Sequence, residues 1–310
     1  MPDKQLAINK GERIKTQVDI SLYWKKQQQR VEKALDQSIP KTSVRPQTLH
    51  KAMRYSVFAG GKRLRPILCL ASADAIASSG TDALILSAAV ECIHTYSLIH
   101  DDLPCMDDDD LRRGKPTSHK VFGEGIAVLA GDALLTIAFE LASRCAGTKR
   151  YPAAELVKEL AYSSGSQALV AGQVVDLECE GKKITAAQLK YIHEMKTGAL
   201  ITSSIRLGAM SANATARQLK DLSDFGQALG LAFQVVDDIL DLTQTSAQLG
   251  KSAGKDLKSE KATYPSILGM AKAEKEAARL TTLALSKLKP FGKKAEALEA
   301  IAHFMLARKN

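Results

Sequence analysis

The sequence predicts an all-α protein that forms a single domain. No proline occurs between Pro152 and Pro265, and apolar residues in that stretch recur at spacings of three and four, as in Leu189 and Ile192. Aromatic residues make up only 5% of the chain, and the clusters of Val, Ile and Thr that mark strands are missing. No composition shift or linker divides the 310 residues. We therefore expect a helical bundle of roughly ten or more helices joined by short loops.

Capping signals and prolines indicate where individual helices begin. Thr185 and Gln188 form a capping box, and Thr81 precedes an apolar run. Pro66 and Pro152 stand where the first turn of a helix tolerates proline. The predicted helices cover residues 24–38, 47–59, 66–78, 82–102, 126–146, 152–178, 186–210, 215–243, 265–272, 275–288 and 294–308.

Composition indicates a folded protein with no membrane-spanning helix and with an anionic partner. Hydrophobic residues make up 45% and charged residues 25%, as in globular proteins. The longest uncharged stretch, residues 160–175, is too short to span a bilayer, and residues 1–15 lack the apolar region of a signal peptide. Five cysteines without a CxxC pair suit a reducing compartment, so we predict a cytoplasmic location. The net charge of +9 favours nucleic acid, an anionic membrane or phosphorylated metabolites.

The segment DDILD at residues 237–241 places carboxylates within an apolar helix. Asp237 and Asp241 are about 40° apart in projection, so both leave the helix face that also carries Gln234. Like charges at this spacing destabilise a helix unless a cation lies between them. Hard oxygen ligands on one face suit Mg²⁺, which retains waters and binds substrate phosphates. The alternative is a solvated acidic helix end.

A second acidic segment, DDLPCMD at residues 101–107, ends a long apolar helix. On an ideal helix Asp101 and Asp107 would be about 240° apart and would point in different directions. Pro104 disfavours the helical conformation at Leu103 and interrupts the hydrogen-bond ladder, so two residues can loop out. The loop restores an effective spacing of four and gives a second metal-binding pair. The alternative is an acidic surface loop.

Two basic segments could hold an anion, one directly after the first acidic segment and one well upstream of it. The turn GGKRLRP at residues 60–66 places three cations at the start of a helix, where guanidinium and backbone N–H groups can hold a diphosphate. Arg112 and Arg113 directly follow the acids. His94 lies about 20° from the helix face of Asp101 and can reach an anion there, although a satisfied core histidine is the alternative.

These segments together resemble the trans-isoprenyl diphosphate synthases, specifically the bacterial-type farnesyl diphosphate synthases. The resemblance covers GGKRLRP at 60–66, the acidic and basic stretch at 101–119, GQVVDL at 172–177, KTG at 196–198, FQVVDDILD at 233–241, and a GK…K-TYP stretch ending at Pro265. It implies a synthase domain over residues 21–310 and leaves residues 1–20 as an N-terminal extension without a recognisable motif. It also implies an all-α homodimer with an active site in a central cavity of each subunit.

The resemblance also implies roles for individual residues. The expected ligands of three Mg²⁺ ions are Asp101, Asp102, Asp107, Asp237 and Asp241, with Asp238 beside them. The residues expected to hold the allylic diphosphate are Arg112, Lys196, Lys251 and Lys261, and those expected to hold isopentenyl diphosphate are Gly61, Lys62, Arg65, His94 and Arg113. Thr197 and Gln234 would flank the reacting carbons. Catalysis is expected to depend most on Asp101, Asp107, Lys196, Thr197 and Asp237.

The implied reaction condenses isopentenyl diphosphate with dimethylallyl and then geranyl diphosphate to give farnesyl diphosphate, a C15 product. Mg²⁺ and the cations stabilise charge on the leaving diphosphate, the allylic C–O bond ionises, the isopentenyl double bond attacks, and a proton is lost. No side-chain nucleophile is required, and the sequence contains no GxSxG motif.

Product length depends on one further implied position. In similar synthases a large residue upstream of the first Asp forms the floor of the chain-elongation pocket. Tyr96 stands five residues before Asp101 and indicates the C15 product. Helical projection alone would select Ser97, about 40° from the Asp101 face, so the assignment of Tyr96 comes from the resemblance.

Several alternatives stay open. A geranylgeranyl diphosphate synthase would use the same chemistry, usually with a smaller residue at position 96. A class I terpene cyclase would carry Ser or Thr at position 241 and Glu at position 245, and this chain has neither. The intact acidic segments disfavour a non-catalytic helical subunit, and the lack of aromatic platforms or a basic stripe disfavours an RNA-binding protein. The predicted partners are the three diphosphates and a second copy of the chain, with no nucleic acid and no membrane.

Overall fold

A computed structural model describes residues 18–243 and 262–306 of the chain. The helices of the first range are α1 (Ile20–Ser38), α2 (Gln47–Val57), α3 (Leu64–Ile76), α4 (Thr81–Asp101), α5 (Ser118–Phe122), α6 (Glu124–Ser143), α7 (Ala153–Ser164), α8 (Leu169–Cys179), α9 (Ala186–Ile192), α10 (Ala199–Ser211) and α11 (Ala216–Thr243). Those of the second range are α12 (Tyr264–Leu268), α13 (Met270–Leu288) and α14 (Glu296–Leu306). A π-helical turn, His193–Gly198, joins α9 to α10, and a 3₁₀ segment, Lys289–Ala295, joins α13 to α14. The all-α prediction is confirmed.

Some predicted boundaries were wrong, each for a local reason. The predicted helix 152–178 is two helices, because the backbone of Gly165 leaves the helical region with φ −89° and ψ −166°. The predicted helix 186–210 is interrupted by the π-helical turn. The predicted helices 265–272 and 275–288 are instead separated at Gly269, whose φ of 82° favours glycine over any other residue.

Two helix starts show how side chains fix the boundaries. The predicted capping box of Thr185 and Gln188 is confirmed at the start of α9. The first helix begins earlier than predicted, because the Asp19 carboxylate accepts hydrogen bonds from the N–H groups of Ser21 and Leu22. Capping of this kind satisfies N–H groups that have no partner within the helix.

A short hairpin follows the first acidic segment. Leu111–Arg112 (β1) pairs antiparallel with Lys115–Pro116 (β2). The turn between them has positive φ at Arg113 (55°) and Gly114 (73°). The sequence analysis predicted no strand, because a two-residue pair is too short to show an alternating pattern.

Helix α4 is the core helix that positions the site. It packs against α3, α6 and α10. Helices α3 and α10 also lie against each other, so closely that a Cβ added at Gly208 would be 1.9 Å from the carbonyl oxygen of Cys69. This packing fixes the start of α3 relative to α4. The start of α3 and the turn before it carry Lys62 and Arg65, and the end of α4 carries Asp101, all of which the sequence assigned to the site.

The π-helical turn is packed between α8 and α11. A Cβ added at Gly172 would lie 2.2 Å from the backbone nitrogen of Lys196, and one at Gly230 would lie 2.8 Å from Cα of Gly198. Glycine at both positions therefore allows two helices to contact the backbone of the turn directly. Lys196 and Thr197 are held in place by this contact.

In the part of the chain that the structure describes, two helices are long and apolar enough to cross a membrane by length and composition alone. Within their apolar windows, 67% of α4 and 39% of α6 is buried inside the protein. The burial of α4 is typical of the core helix of a globular domain. Helix α6 keeps an apolar face toward solvent, where Val128 and Leu129 are 38% and 54% exposed.

Candidate active site

Basic side chains from three parts of the chain line one cleft. Lys62 and Arg65 come from the start of α3, His94 from α4 and Arg113 from the hairpin turn. The cleft, called here the basic cleft, is open to solvent and has a volume of about 180 Å³. The structure therefore brings together four of the five residues that the sequence assigned to isopentenyl diphosphate.

Arg65 and His94 are packed against each other in the basic cleft. Arg65 Nη1 donates to His94 Nε2 at 3.4 Å, and Arg65 Nε is buried without a hydrogen-bond partner among the described residues. Burial lowers the pKa of Arg65 to about 10, and the charge of Arg113 acts in the same direction. Burial and the same arginines lower the pKa of His94 well below its usual range. The ring is thus neutral, with its proton on Nδ1, and the cleft holds positive charge that an anion would stabilise.

Gly61 contributes to the cleft by having no side chain. Its φ is +121°, and a Cβ at this position would lie 2.6 Å from the guanidinium carbon of Arg113. The Arg113 guanidinium also donates to the carbonyl oxygen of Gly60. Glycine in this turn therefore lets Arg113 lie flat against the backbone.

Arg63 belongs to the core, although the sequence placed it among three cations available to a ligand. Its side chain is fully buried and forms salt bridges with Glu91 and Glu32, both at 2.7 Å. It also donates to the carbonyl oxygen of Val57 at 2.6 Å. The charge of Arg63 is already neutralised, so Lys62 and Arg65 are the cations that this turn offers to a ligand.

The first acidic segment folds back onto the end of α4. The N–H of Asp107 donates to the carbonyl of Asp101 at 2.8 Å. In an uninterrupted helix the residue four positions after Asp101 would make this bond. The Leu103 carbonyl accepts the N–H groups of Met106 at 2.9 Å and Asp108 at 3.1 Å inside the loop. The backbone thus loops out two residues, as the sequence predicted.

Asp101 is a desolvated carboxylate. Burial raises its pKa to about 6, Lys196 opposes the shift, and Asp107 adds to it. In residues 18–243 and 262–306, no three Asp, Glu, His or Cys side chains form a ready-made metal cluster. Carboxylate donors in this arrangement fit a hard divalent cation that takes its remaining ligands from water and phosphate.

Asp102 has a different environment from Asp101. Its carboxylate accepts hydrogen bonds from Arg112 Nε at 2.9 Å and from Arg112 Nη2, which also reaches Asp109 at 3.3 Å. Successive helical residues are about 100° apart, so Asp102 does not share the face of Asp101. Asp102 therefore positions Arg112, and its expected metal-supporting role stays a prediction.

Lys196 faces the first acidic segment from the π-helical turn. Its Nζ donates to Asp176 Oδ2 on α8 at 2.7 Å. Burial alone would lower the pKa of Lys196, but Asp176 and then Asp101 raise it overall. Thr197 is partly buried next to it. The turn therefore keeps a charged ammonium group close to Asp101.

The second acidic segment continues a face of α11. Gly230, Gln234, Asp237 and Asp241 lie within about 60° of one another on this helix. Gly230 packs against Gly198, so the face is directed toward the π-helical turn at that level. Gln234 and Asp237 are partly buried, and Asp241 is exposed. The π-helical turn is therefore a neighbour both of the first acidic segment and of α11, the helix that carries the second acidic segment.

Asp238 joins three elements of the fold. Its Oδ2 accepts hydrogen bonds from His193 Nε2 at 3.0 Å and from the Tyr264 N–H at 2.9 Å. The His193 and Tyr264 rings stack with centroids 5.7 Å apart. These contacts connect α11, the π-helical turn and α12. Asp238 therefore positions these elements, and its expected second-tier metal role stays a prediction.

Tyr96 lies in the core on α4, about 7.5 Å along the axis from Asp101. Its side chain is 6% exposed, and its ring meets that of His100 edge-on at 5.7 Å. Burial raises the pKa of Tyr96 to about 12. Ser97, the residue favoured by projection, uses its hydroxyl to donate to the His94 carbonyl at 3.0 Å. The other predicted residues, Lys251 and Lys261, lie outside the described residues.

Comparison with known proteins decides the family, because residues 46–301 match the model of the polyprenyl synthetase family. The chain belongs to the polyprenyl synthetase family. It is 50% identical over 283 residues to a chloroplastic geranylgeranyl pyrophosphate synthase of Capsicum annuum, covering 90% of this chain and 76% of that protein. It is 47% identical over 264 residues to a farnesyl diphosphate synthase of Geobacillus stearothermophilus, covering 84% and 89%. A crystal structure of a Helicobacter pylori geranyltransferase complexed with magnesium and isoprenyl diphosphate superposes with a TM-score of 0.82 at 35% identity, covering 93% and 98%.

Membership of the polyprenyl synthetase family confirms the isoprenoid synthase fold and a prenyltransferase activity. It does not select the farnesyl type, because relatives of both product lengths match. The relatives include a chloroplastic and a bacterial enzyme, so the cytoplasmic location stays a prediction.

Three contributors to this polyprenyl synthetase site were not assigned from the sequence. Glu91 had a recognisable signal, because it is the only Asp, Glu, Lys or Arg between residues 84 and 99. Asp176 lies in the GQVVDL motif, but the motif does not show that its carboxylate pairs with Lys196. Trp24, which lines the basic cleft, had no periodic or motif signal.

The buried pair of Arg63 and Glu91 predicts a large effect of Glu91→Gln on stability. The substitution leaves the Arg63 charge buried with Glu32 as its remaining carboxylate partner, so we expect a loss of about 3 kcal/mol in the free energy of unfolding. Urea denaturation followed by circular dichroism measures it. Glu32→Gln is the matched control: the Glu32 side chain is 34% exposed, and we expect a loss of about 1 kcal/mol or less. Equal losses for the two variants would contradict the prediction.

Proposed function

We propose that this polyprenyl synthetase condenses isopentenyl diphosphate with dimethylallyl and geranyl diphosphate to give farnesyl diphosphate, with Mg²⁺ as cofactor. One observation on α4 carries the proposal. His94 in the basic cleft and Asp101 lie on one face of this helix, about 10.5 Å apart along the axis. A cleft with excess positive charge therefore adjoins the desolvated carboxylate of Asp101 and its neighbour Asp107. This arrangement suits two diphosphates, one bound directly by cations and one through a divalent metal.

The metal would be held by the two acidic segments. Asp101 and Asp107 would bind one part of a three-ion cluster, and Asp237 with Asp241 the other. When bound, Mg²⁺ supplies neutralisation of the charge that develops on the leaving diphosphate. The Helicobacter pylori geranyltransferase complexed with magnesium and isoprenyl diphosphate supports Mg²⁺ as the cofactor.

The cations around the carboxylates would hold the allylic diphosphate. Arg112 is oriented by Asp102 and Lys196 by Asp176, so both groups are fixed before substrate arrives. Lys251 and Lys261 belong to the same proposal from the sequence alone.

The reaction then needs no side-chain nucleophile. The allylic C–O bond breaks and leaves its electron pair on the diphosphate, which these cations hold in place. Isopentenyl diphosphate in the basic cleft attacks the allylic carbon with its double bond. This attack leaves a cation on the isopentenyl unit, and the carbon next to that cation loses a proton to the released diphosphate, which forms the new double bond. Thr197 and Gln234 would flank the carbons that react.

Tyr96 supports the C15 product. It is a large buried side chain on the helix that ends at Asp101, so it is suited to limit how far an isoprenoid chain extends. The second candidate is geranylgeranyl diphosphate synthase, which the identity to the Capsicum annuum enzyme favours. Product length separates these two functions.

A homodimer is also part of the proposal. Helix α6 has an 18-residue window with a mean hydropathy of 1.8, yet only 39% of it is buried within one chain. A second copy packed on this face would cover Val128 and Leu129. The contact would be the same patch on both subunits if the dimer is two-fold.

A product assay tests the function. The protein is incubated with Mg²⁺, labelled isopentenyl diphosphate and either dimethylallyl or geranyl diphosphate, and the products are separated by chain length. A linear C15 diphosphate as the main product supports the proposal. A C20 product would establish the geranylgeranyl alternative, a cyclic hydrocarbon a terpene cyclase, and the absence of turnover a non-catalytic subunit.

Asp101→Asn tests the metal-binding role of the first acidic segment. The change keeps the shape of the side chain but removes its charge, so we expect kcat to fall about a thousandfold. Steady-state kinetics at saturating Mg²⁺ measures the loss. The control is Asp110→Asn in the same segment, since the Asp110 side chain is 73% exposed and pairs with Lys120. A similar loss in both variants would indicate a general charge effect.

Tyr96→Ala tests the floor of the elongation pocket. Removing the ring opens space below Asp101, so we expect the main product to shift from C15 to C20 or longer. Chromatography of the dephosphorylated products measures the shift. The control Tyr96→Phe keeps the ring and should retain the C15 product. An unchanged C15 product from the Ala variant would contradict the assignment of Tyr96 to the floor of the pocket.

Leu129→Glu tests the α6 face. A carboxylate placed in an apolar interface is destabilising unless it is paired, so we expect the variant to be monomeric at concentrations where the parent protein is dimeric. Sedimentation velocity measures the mass. The control is Leu283→Glu on α13, where Leu283 is 38% exposed, and this variant should remain a dimer. A dimeric Leu129→Glu protein places the interface elsewhere.

A further inference from the structure

We infer that Trp24 is a positioning residue for the basic cleft, and that it acts together with Phe304 by fixing the Gly61–Lys62 turn from outside. The inference deepens the proposed function and rests on it, because it assigns Trp24 to the isopentenyl diphosphate half of the site. The indole N–H of Trp24 is already used by the Lys62 carbonyl, and Phe304 has no polar group to offer a diphosphate. Both act through the backbone and the ammonium group of Lys62.

The backbone of the turn needs an external support. Gly60 and Gly61 have φ values of +102° and +121°, in the region that glycine occupies most readily and other residues avoid. Glycine also has the greatest conformational freedom, so two in succession make this turn costly to order. Lys62 directly follows them and is exposed. Its position depends on what holds the turn.

Helix α1 supplies that support through two hydrogen bonds. The indole Nε1 of Trp24 donates to the Lys62 carbonyl at 2.8 Å. One turn later on α1, Gln28 Nε2 donates to the Gly61 carbonyl at 3.1 Å. Both carbonyls of the turn are thereby held by one helix face. The amide plane that precedes Arg63, and with it the start of α3, is fixed at the same time.

The C-terminal helix holds the side chain of Lys62. The ammonium Nζ lies 5.8 Å from the centroid of the Phe304 ring on α14, within the range of a cation–π interaction. The Phe304 ring in turn contacts the Trp24 ring, with centroids 5.1 Å apart and planes at 51°. Trp24 therefore supports both the backbone of Lys62 and the aromatic ring beside its charge.

A purely structural role would predict a different result from a positioning role. Trp24 is partly buried and Phe304 is 44% exposed, so neither is a main component of the core. Both line the basic cleft together with Arg65 and Arg113. Loss of the Trp24 hydrogen bond should therefore weaken binding of the diphosphate in this cleft and leave the allylic site unaffected.

Trp24→Phe tests the inference, because it removes the N–H donor and keeps an aromatic ring against Phe304. We expect KM for isopentenyl diphosphate to rise about fivefold, the effect of one net hydrogen bond, while kcat and KM for geranyl diphosphate change less than twofold. Tyr23→Phe is the matched control on the same helix. Its hydroxyl donates to Asp74 at 3.2 Å, away from the cleft, and both KM values should be retained.

Phe304→Leu gives a second and independent variant. It removes the ring beside Lys62 and leaves α1 unchanged, so it carries the test if Trp24→Phe does not fold. We expect a several-fold rise in KM for isopentenyl diphosphate, and rescue by Phe304→Trp, because tryptophan is the strongest cation–π partner. An unchanged KM for isopentenyl diphosphate in the variants, or an equal rise for both substrates, overturns the inference.

The intrinsic fluorescence of Trp24 provides a readout that does not need turnover. The chain contains one tryptophan, so emission of the parent protein reports on this cleft alone. Titration with inorganic pyrophosphate should give a saturable change in emission, and a flat titration overturns the inference. If the parent protein shows no condensation activity, the proposed function fails, whereas the pyrophosphate titration still decides whether Trp24 senses an anion in the basic cleft.

Discussion

The site depends on incompletely neutralised charge that the fold buries at two points along α4. At the level of His94, arginines are buried together without enough carboxylates to neutralise them, and the pKa values of Arg65 and His94 fall. At the end of the helix, Asp101 is buried near another carboxylate, and its pKa rises. Each arrangement costs folding free energy, because like charges repel more strongly where water is scarce. The first is relieved by an anion and the second by a cation.

The fold divides the arginines by the partners that it gives them. Arg63 faces two carboxylates and serves the core, whereas Arg65, the second residue of α3, faces a neutral histidine and the cleft. Arg112 is paired with Asp102, and Arg113 with a backbone carbonyl. Only a guanidinium that keeps unsatisfied donors can bind a diphosphate strongly. Partners, more than proximity in the sequence, decide which arginine is available.

Close backbone contacts bring the remaining groups to the same place. Glycines at 172, 198 and 230 allow α8 and α11 to touch the π-helical turn, which carries Lys196 and Thr197. π-Helical turns are rare within helices and are frequent at functional sites. Here the turn is supported on one side by the salt bridge to Asp176 and on the other by the contacts of Asp238 with His193. Its ammonium group is therefore placed by packing that would not tolerate larger residues.

The sequence by itself determined the all-α class, most helix positions and the looped-out acidic segment, because periodicity, proline and local spacing control these features. The grouping of Lys62, Arg65, His94 and Arg113 followed from the resemblance to the synthases, and the structure brings them to one cleft. Tertiary structure alone decided that Arg63 belongs to the core, that Asp102 pairs with Arg112 and Asp238 with His193, and that Trp24 reaches the turn before α3. These outcomes depend on which side chains meet across helices distant in the chain. A pattern within one helix indicates which face is buried, but it does not show which charge or donor lies opposite.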